Sequence, residues 1–200
     1  TEVPVTLKMR LGWDDDCLNA PEIARMAQDA GVRMITIHGR TRCQFYKGNA
    51  DWKMIQDTVE AVSVPVIANG DIGSVEAAKA ALAQSKAYGV MIGRAAMGQP
   101  WLLNEVLAGL DGTAFEAPSL DRQMHGLCEQ VEDSMSLYGD HLGIRIVRKH
   151  IAAHIDKVSL PLSDEDRRAI RSHLCRIDDP SRLISEIRAV YCGQTLRVAA

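Results

Sequence analysis

The chain has 200 residues of ordinary globular composition, 46% apolar and 24% charged, with a formal net charge of -3. That length holds one large domain or two modest ones, each with a real core, and the charge balance gives no global electrostatic reason for a nucleic-acid partner, which must be argued from local patches. The five cysteines, Cys17, Cys43, Cys128, Cys175 and Cys192, are odd in number and widely spaced; without a Cys-x-x-Cys pair or a Cys/His cluster they suggest neither a disulfide framework nor a zinc site, so no metal is expected.

There is no signal peptide, lipidation motif or apolar run of membrane-spanning length, and the reading is a soluble cytoplasmic protein with no membrane partner. The first residue is Thr1, not methionine, and a strand-like run follows almost at once. Upstream sequence is therefore expected.

Residues 1 to about 110 alternate β-rich runs with helical stretches, the pattern of parallel strands joined by helical crossovers. Strands are predicted at "PVTLKM" from Pro4, "MITIH" from Met34, "VPVIAN" from Val64 and "GVMIG" from Gly89. The helices fall near "APEIARMAQDA", "ADWKMIQDTVEAV", "SVEAAKAALAQ" and "PWLLNEVLAG". Pro21 and Pro100 sit at helix starts, Ser74 reads as an N-cap, and Gly31 follows a helix end. After a linker at "TAFEAPS" the strand signal disappears, and helices are predicted at about 120–138, 142–157, 163–175 and 180–191. Ser163 with Asp166, and Asp179 with Pro180, mark two of the starts. The predicted domains are residues 1–112, an α/β part, and 118–200, an all-helical part.

Side-chain alternation chooses among α/β folds. Val5, Leu7 and Met9 point one way while Thr6, Lys8 and Arg10 point the other; Ile35 and Ile37 oppose Thr36, His38 and Arg40. Strands of an open parallel sheet read as continuous apolar runs, whereas a barrel's inner face carries site residues toward its C-terminal mouth. Four units with this pattern predict the C-terminal half of a (β/α)8 TIM barrel.

In such barrels a phosphate is held by the loops after the last two strands. Asn69-Gly70-Asp71 and Gly93-Arg94 end those strands here: the glycines allow close backbone approach, Arg94 offers a forked cation, and Asn69 or Asp71 can bond ligand hydroxyls or nearby backbone. Ordinary turn chemistry is the other reading of these residues. Lys8, Arg10, His38 and Arg40 bring positive charge to one interior face, which calls for an anionic or electron-rich ligand or for internal salt bridges to Asp71 or another acid. A flavin mononucleotide and a sugar phosphate both fit that description.

The stretches "VPVTLKMRLGW", "TIHGRTR", "PVIANGDI" and "MIGRAAMGQPW", with "YG" and "RIVRKHI" further on, resemble the bacterial tRNA-dihydrouridine synthases, the B-type branch in particular, in order and over nearly the whole chain. The resemblance implies an FMN-dependent enzyme that reduces the C5–C6 double bond of uridines in tRNA to give 5,6-dihydrouridine, with NADPH as reductant. It implies that Lys8 faces the N1/O2 edge of the flavin, that Arg10 and His38 line the same pocket, and that Asn69, Gly70, Asp71, Gly93 and Arg94 hold the ribityl phosphate. The family's general-acid cysteine, in an Asn-x-Gly-Cys-Pro setting, has no counterpart in these 200 residues, and no catalytic residue is assigned within them. Cys17 and Cys43 lack those neighbours and are read as ordinary thiols. On their own, these residues are expected to bind FMN weakly or not at all.

In "LGIRIVRKHIAAHIDK", Ile144, Val147, Ile151, Ile155 and Val158 form an inward stripe at helical spacing. Arg145, Arg148 and Lys149 share an adjoining arc of roughly 100°, with His150 on another flank. That cluster suits RNA phosphates, and the resemblance makes it a tRNA-binding surface; a solvated face with local ion pairs is the alternative. Residues 118–200 hold 12 Lys+Arg and 12 Asp+Glu, so binding depends on placement. Trp13 and Trp101 could stack on a base or serve packing, and Trp52 is expected in the core. Two other functions remain open on the residues alone. One is a different FMN barrel oxidoreductase; the other is an inactive RNA-binding or scaffold fragment that pairs its open barrel edges with another copy or with the missing half.

Overall fold

A computed structural model of the chain describes residues 2–193. The chain folds as two compact units, Thr1–Ala96 with Leu102–Phe115, and Met97–Trp101 with Glu116–Ala200.

The first unit is a parallel four-stranded sheet in the order β1 (Thr6–Arg10), β2 (Met34–His38), β3 (Val66–Asn69), β4 (Gly89–Met91). Helices α1 (Ala20–Asp29), α2 (Gln56–Ala61) and α3 (Val75–Ser85) make the crossovers, and α4 (Leu102–Asp111) follows β4. The mixed α/β class and all four predicted strands are therefore present. Parallel neighbours in register share a face, and one face reads Leu7–Ile35–Val66 and Met9–Ile37–Ala68–Val90. These side chains pack with Ala20 and Ala24 of α1 and with Ile55, while α3 and α4 close a second cluster around Ile72, Ala78, Ala81, Leu102 and Val106. The apolar half of the alternation faces helices because that is the face where burial is favourable.

Local signals explain most element ends. Pro21 occupies the first turn of α1, and Gly31, at φ 95°, releases the chain after it. The Ser74 hydroxyl accepts the Ala77 N–H at 3.1 Å to start α3. The helix expected through residues 50–62 is shorter: a 3-10 turn at Lys53–Ile55 precedes α2, and the Trp52 indole donates to the Gly70 carbonyl at 2.8 Å. Pro100 and Trp101 stand just before α4 instead of inside it.

The second unit is helical. The stretch α5 (Leu120–Lys157) is broken at Gly139, whose φ of 74° and ψ of 161° no helix contains. The Ser134 hydroxyl donates to the Gly143 carbonyl at 2.9 Å, a bond across nine residues that a straight helix, rising about 1.5 Å per residue, cannot make. The chain has reversed, and the limbs close on Gly143, where a Cβ would collide with the Ser134 backbone. Next come α6 (Asp164–Leu174), opened by a reciprocal capping box between Ser163 and Asp166, and α7 (Pro180–Tyr191), capped by Asp179. Ile144, Val147, Ile151 and Ile155 are buried with Leu127, Val131, Leu174, Leu183 and Ile187, which is the inward stripe. Met97–Trp101, placed by the linear division with the α/β part, packs into this unit. A Cβ on Gly98 would strike the Ala153 carbonyl, and the Trp101 ring meets the His154 ring edge-on at 6.0 Å. Among the described residues no helix is long and apolar enough to cross a membrane.

Candidate functional site

The opposite sheet face carries the polar half of the alternation. Its last register row runs Arg10–His38–Asn69–Met91, and the row one pleat back runs Lys8–Thr36–Ile67–Gly89. Both rows approach the C-terminal ends of the strands, where the chain turns through positive φ at Gly70 (117°) and Asp71 (55°).

A cleft of about 450 Å³ opens at this rim, within the range of small-ligand sites. Of the eight residues expected to bind the cofactor, Lys8, His38, Asn69, Gly70, Asp71, Gly93 and Arg94 line it together. Arg10 is not among the lining residues: its guanidinium donates to the Thr41 and Phe45 carbonyls at 2.7 and 2.8 Å, tying down the loop after β2. That loop contributes Tyr46, also at the cleft, whose ring lies 4.5 Å from the Arg94 guanidinium carbon and 5.7 Å from that of Arg10.

The electrostatics follow from this crowding. Burial, and then the charges of Arg10, Lys8 and Arg40, push the His38 imidazole down to about 4, against the opposing pull of Asp71. The ring is neutral at physiological pH, and its Nδ1 is buried with no hydrogen-bond partner among the described residues. Partial burial, with the Arg10 charge, also lowers Lys8 from the usual lysine range. A neutral imidazole beside ammonium and guanidinium groups forms an electropositive pocket with one unused polar atom.

Asp71 and Asn69 brace the site. The Arg40 side chain is 2% exposed. It pairs with Asp71 through both terminal guanidinium nitrogens and donates to the carbonyls of Lys47 (3.1 Å) and Gly48 (2.6 Å). The Asp71 carboxylate also accepts the Ala50 N–H at 2.8 Å and stands 3.6 Å from Arg94. Burial alone would raise its pKa; the Arg40 and Ala50 hydrogen bonds and the charges of Arg40 and Arg94 hold it below the ordinary carboxylate range. The internal salt bridge considered for this face thus exists, with Arg40 as its cation. The Asn69 amide donates to the Met91 carbonyl at 2.8 Å, locking β3 to β4 beside the glycine turn. Arg94 keeps 64% of its side chain exposed, open to a ligand from solution.

Sequence reasoning passed over Tyr46, and it offered salt bridges from this face to Asp71 without singling out Arg40 as the cation. Tyr46 lies in a loop without periodicity, and the Arg40–Asp71 partnership joins positions 31 residues apart. Cys17 and Cys43 are exposed loop thiols.

In the helical unit Arg145 and Lys149 are exposed on the second limb of α5. Arg148, by contrast, pairs with Asp178 at 2.6 Å. His150 lines a shallow hollow of about 230 Å³ with Asp133, Tyr138 and Val147, and burial followed by the Lys149 charge lowers its pKa. Trp101, engaged with His154, is a packing residue.

The chain is 48% identical over 191 residues to the "Probable tRNA-dihydrouridine synthase" of Rhodobacter capsulatus, covering 95% of this chain and 56% of that protein. Against the "tRNA-dihydrouridine synthase B" of Pseudomonas putida it is 43% identical over 191 residues, 95% of this chain and 55% of the relative. It thus spans a little over half the length of these curated relatives. The model of the dihydrouridine synthase (Dus) family matches residues 1–182, and the chain belongs to that family.

Proposed function

We propose that this chain forms the phosphate-binding side of an FMN site in an enzyme that reduces uridine to 5,6-dihydrouridine in tRNA, with NADPH as reductant. In this reading residues 1–112 are the C-terminal half of a (β/α)8 barrel, and 118–200 are a helical domain that holds tRNA through Arg145, Arg148, Lys149 and His150. The observation that carries it is the meeting of Lys8, His38, Gly70, Gly93 and Arg94 in one cleft at the strand ends.

These residues fit the cofactor. A Cβ on Gly93 would meet nothing within 4 Å, so the absent side chain leaves room at the cleft wall. His38 Nδ1 is an unsatisfied polar atom suited to a ligand's hydrogen-bonding group. FMN, when bound, supplies hydride-transfer chemistry. Lys8 would supply a cation to the electron-rich ring, and Arg94 would match the phosphate with its planar fork. Asn69 and the Arg40–Asp71 pair hold the loops so that these groups need no reorganisation on binding. The absence of an Asn-x-Gly-Cys-Pro motif leaves the general acid unassigned among these residues.

The test in the whole protein is NADPH oxidation followed by absorbance. The reading predicts oxidation that requires both FMN and unmodified tRNA and leaves dihydrouridine in the RNA; a purified protein that takes up no FMN would contradict it. Arg94→Gln is expected to weaken FMN binding by about 10- to 100-fold while leaving riboflavin, which lacks the phosphate, nearly unaffected. Flavin fluorescence titration reads both affinities.

A further inference from the structure

Beside Tyr46, which lines the cleft, the loops after β1 and β2 carry exposed aromatic and arginine side chains that do not line it. Trp13, Phe45 and Tyr46 expose 61%, 52% and 63% of their surface. The Arg42 guanidinium carbon sits 4.4 Å from the centre of the Phe45 ring and 6.0 Å from that of Trp13. Rings of this size normally seek burial, and three of them standing in water at one rim call for a partner.

The group is also held in place. Backbone bonds join the loops after β1 and β2: Arg42 N–H to the Gly12 carbonyl at 2.8 Å, Cys43 N–H to the Trp13 carbonyl at 2.8 Å, and Leu11 N–H to the Arg40 carbonyl at 3.2 Å. Phe45 has a φ of 51°, a costly conformation for a bulky residue, and its carbonyl accepts from Arg10 at 2.8 Å. The backbone that carries the ring is thus held beside Tyr46, the loop residue that reaches the cleft. Exposed rings carried on held loops, with guanidinium groups between them, are the surface on which unpaired nucleic-acid bases stack, because every base has a π face and Arg adds both stacking and charge.

We propose that Trp13, Arg42 and Phe45 form a stacking platform for the nucleotide adjacent to the one delivered into the cleft. The inference rests on the tRNA reading above: a base drawn out of its stack leaves its neighbour without a stacking partner, and the platform provides one. The charges select the strand's path. Asp14, Asp15 and Asp16 follow Trp13 and repel phosphates, whereas Arg42, Lys47 and Arg94 attract them, so the backbone runs on the latter side while the base covers the rings.

The test measures binding of the whole protein to a fluorescent single-stranded RNA of mixed sequence, by anisotropy over a range of salt concentrations. Phe45→Ala is expected to weaken binding by about 5- to 50-fold with the slope of log affinity against log salt unchanged, and Phe45→Tyr to restore it. Arg42→Gln should weaken binding and flatten the slope by about 1. Circular dichroism confirms folding of each variant, and Arg145→Glu with Lys149→Glu serves as a comparison for purely ionic loss. A Phe45→Ala chain that binds within about twofold of the unsubstituted one, or a loss that Phe45→Tyr does not repair, overturns the platform alone. An unsubstituted whole protein that binds no RNA overturns both the platform and the tRNA reading.

Discussion

Replacing Asp71 by asparagine is expected to lower the unfolding free energy by about 3–5 kcal/mol, the usual cost of stranding a buried charge. Asparagine has nearly the same shape and tolerates the left-handed backbone that Asp71 adopts at φ 55°, so strain does not enter the comparison. What changes is the charge facing Arg40, a guanidinium that is 2% exposed and has Asp71 as its carboxylate partner. The loss spreads beyond the pair, since Arg40 also holds the Lys47 and Gly48 carbonyls and Asp71 holds the Ala50 N–H. Arg40→Met combined with Asp71→Leu should recover part of the stability by removing both charges, though the loop carbonyls still lose their donor. Urea denaturation of the three proteins gives the comparison. A single-variant loss below about 1 kcal/mol would show that water reaches Arg40.

Acid should destabilise the helical unit chiefly through one side chain. His154 lies among the Trp101 and Tyr191 rings, its Nε2 has no hydrogen-bond partner among the described residues, and burial holds its pKa down to about 4. Its neighbour Tyr191 is pushed up by burial and then by Cys128, so neither ring offers the imidazolium a counter-charge. In the unfolded chain a histidine takes its proton near pH 6.5. The unfolded state therefore binds more protons between about 6.5 and 4, and stability present above that window falls as pH drops through it. The total is on the order of 3 kcal/mol for His154. His154→Leu should remove that share of the slope while costing little at neutral pH, as read by urea midpoints at about pH 7 and pH 4.5. His38, also held down to about 4, imposes a similar slope on the sheet unit, so each unit's transition should be followed by its own probe.

What could be read in the sequence was local. Strand β2 was predicted with its observed bounds because Met34–His38 alternates within a short run ended by glycine, and α3, α6 and α7 began at their capping residues because a cap is a bond within three residues. The shared face of Lys8, His38 and Asn69 was legible too, since alternation and parallel register together fix it. Long-range partnerships were not. Arg10 carried the right spacing for the cleft, yet its side chain is captured by carbonyls of a loop more than 30 residues away. Likewise Met97–Trp101 carries a strand-and-helix pattern like its neighbours, and only its packing against Ala153 and His154 assigns it to the helical core. A change of composition marks where element type changes, not which core a segment joins.

Every group proposed for the phosphate lies between Asn69 and Arg94, and two-dimensional amide NMR of the whole protein with millimolar FMN tests that placement directly. The account predicts shifts concentrated at the amides of Gly70 through Gly73 and Gly93 through Ala95, reproduced in part by inorganic phosphate and abolished by Arg94→Gln. Unmoved signals at those amides, with or without shifts elsewhere, would contradict it.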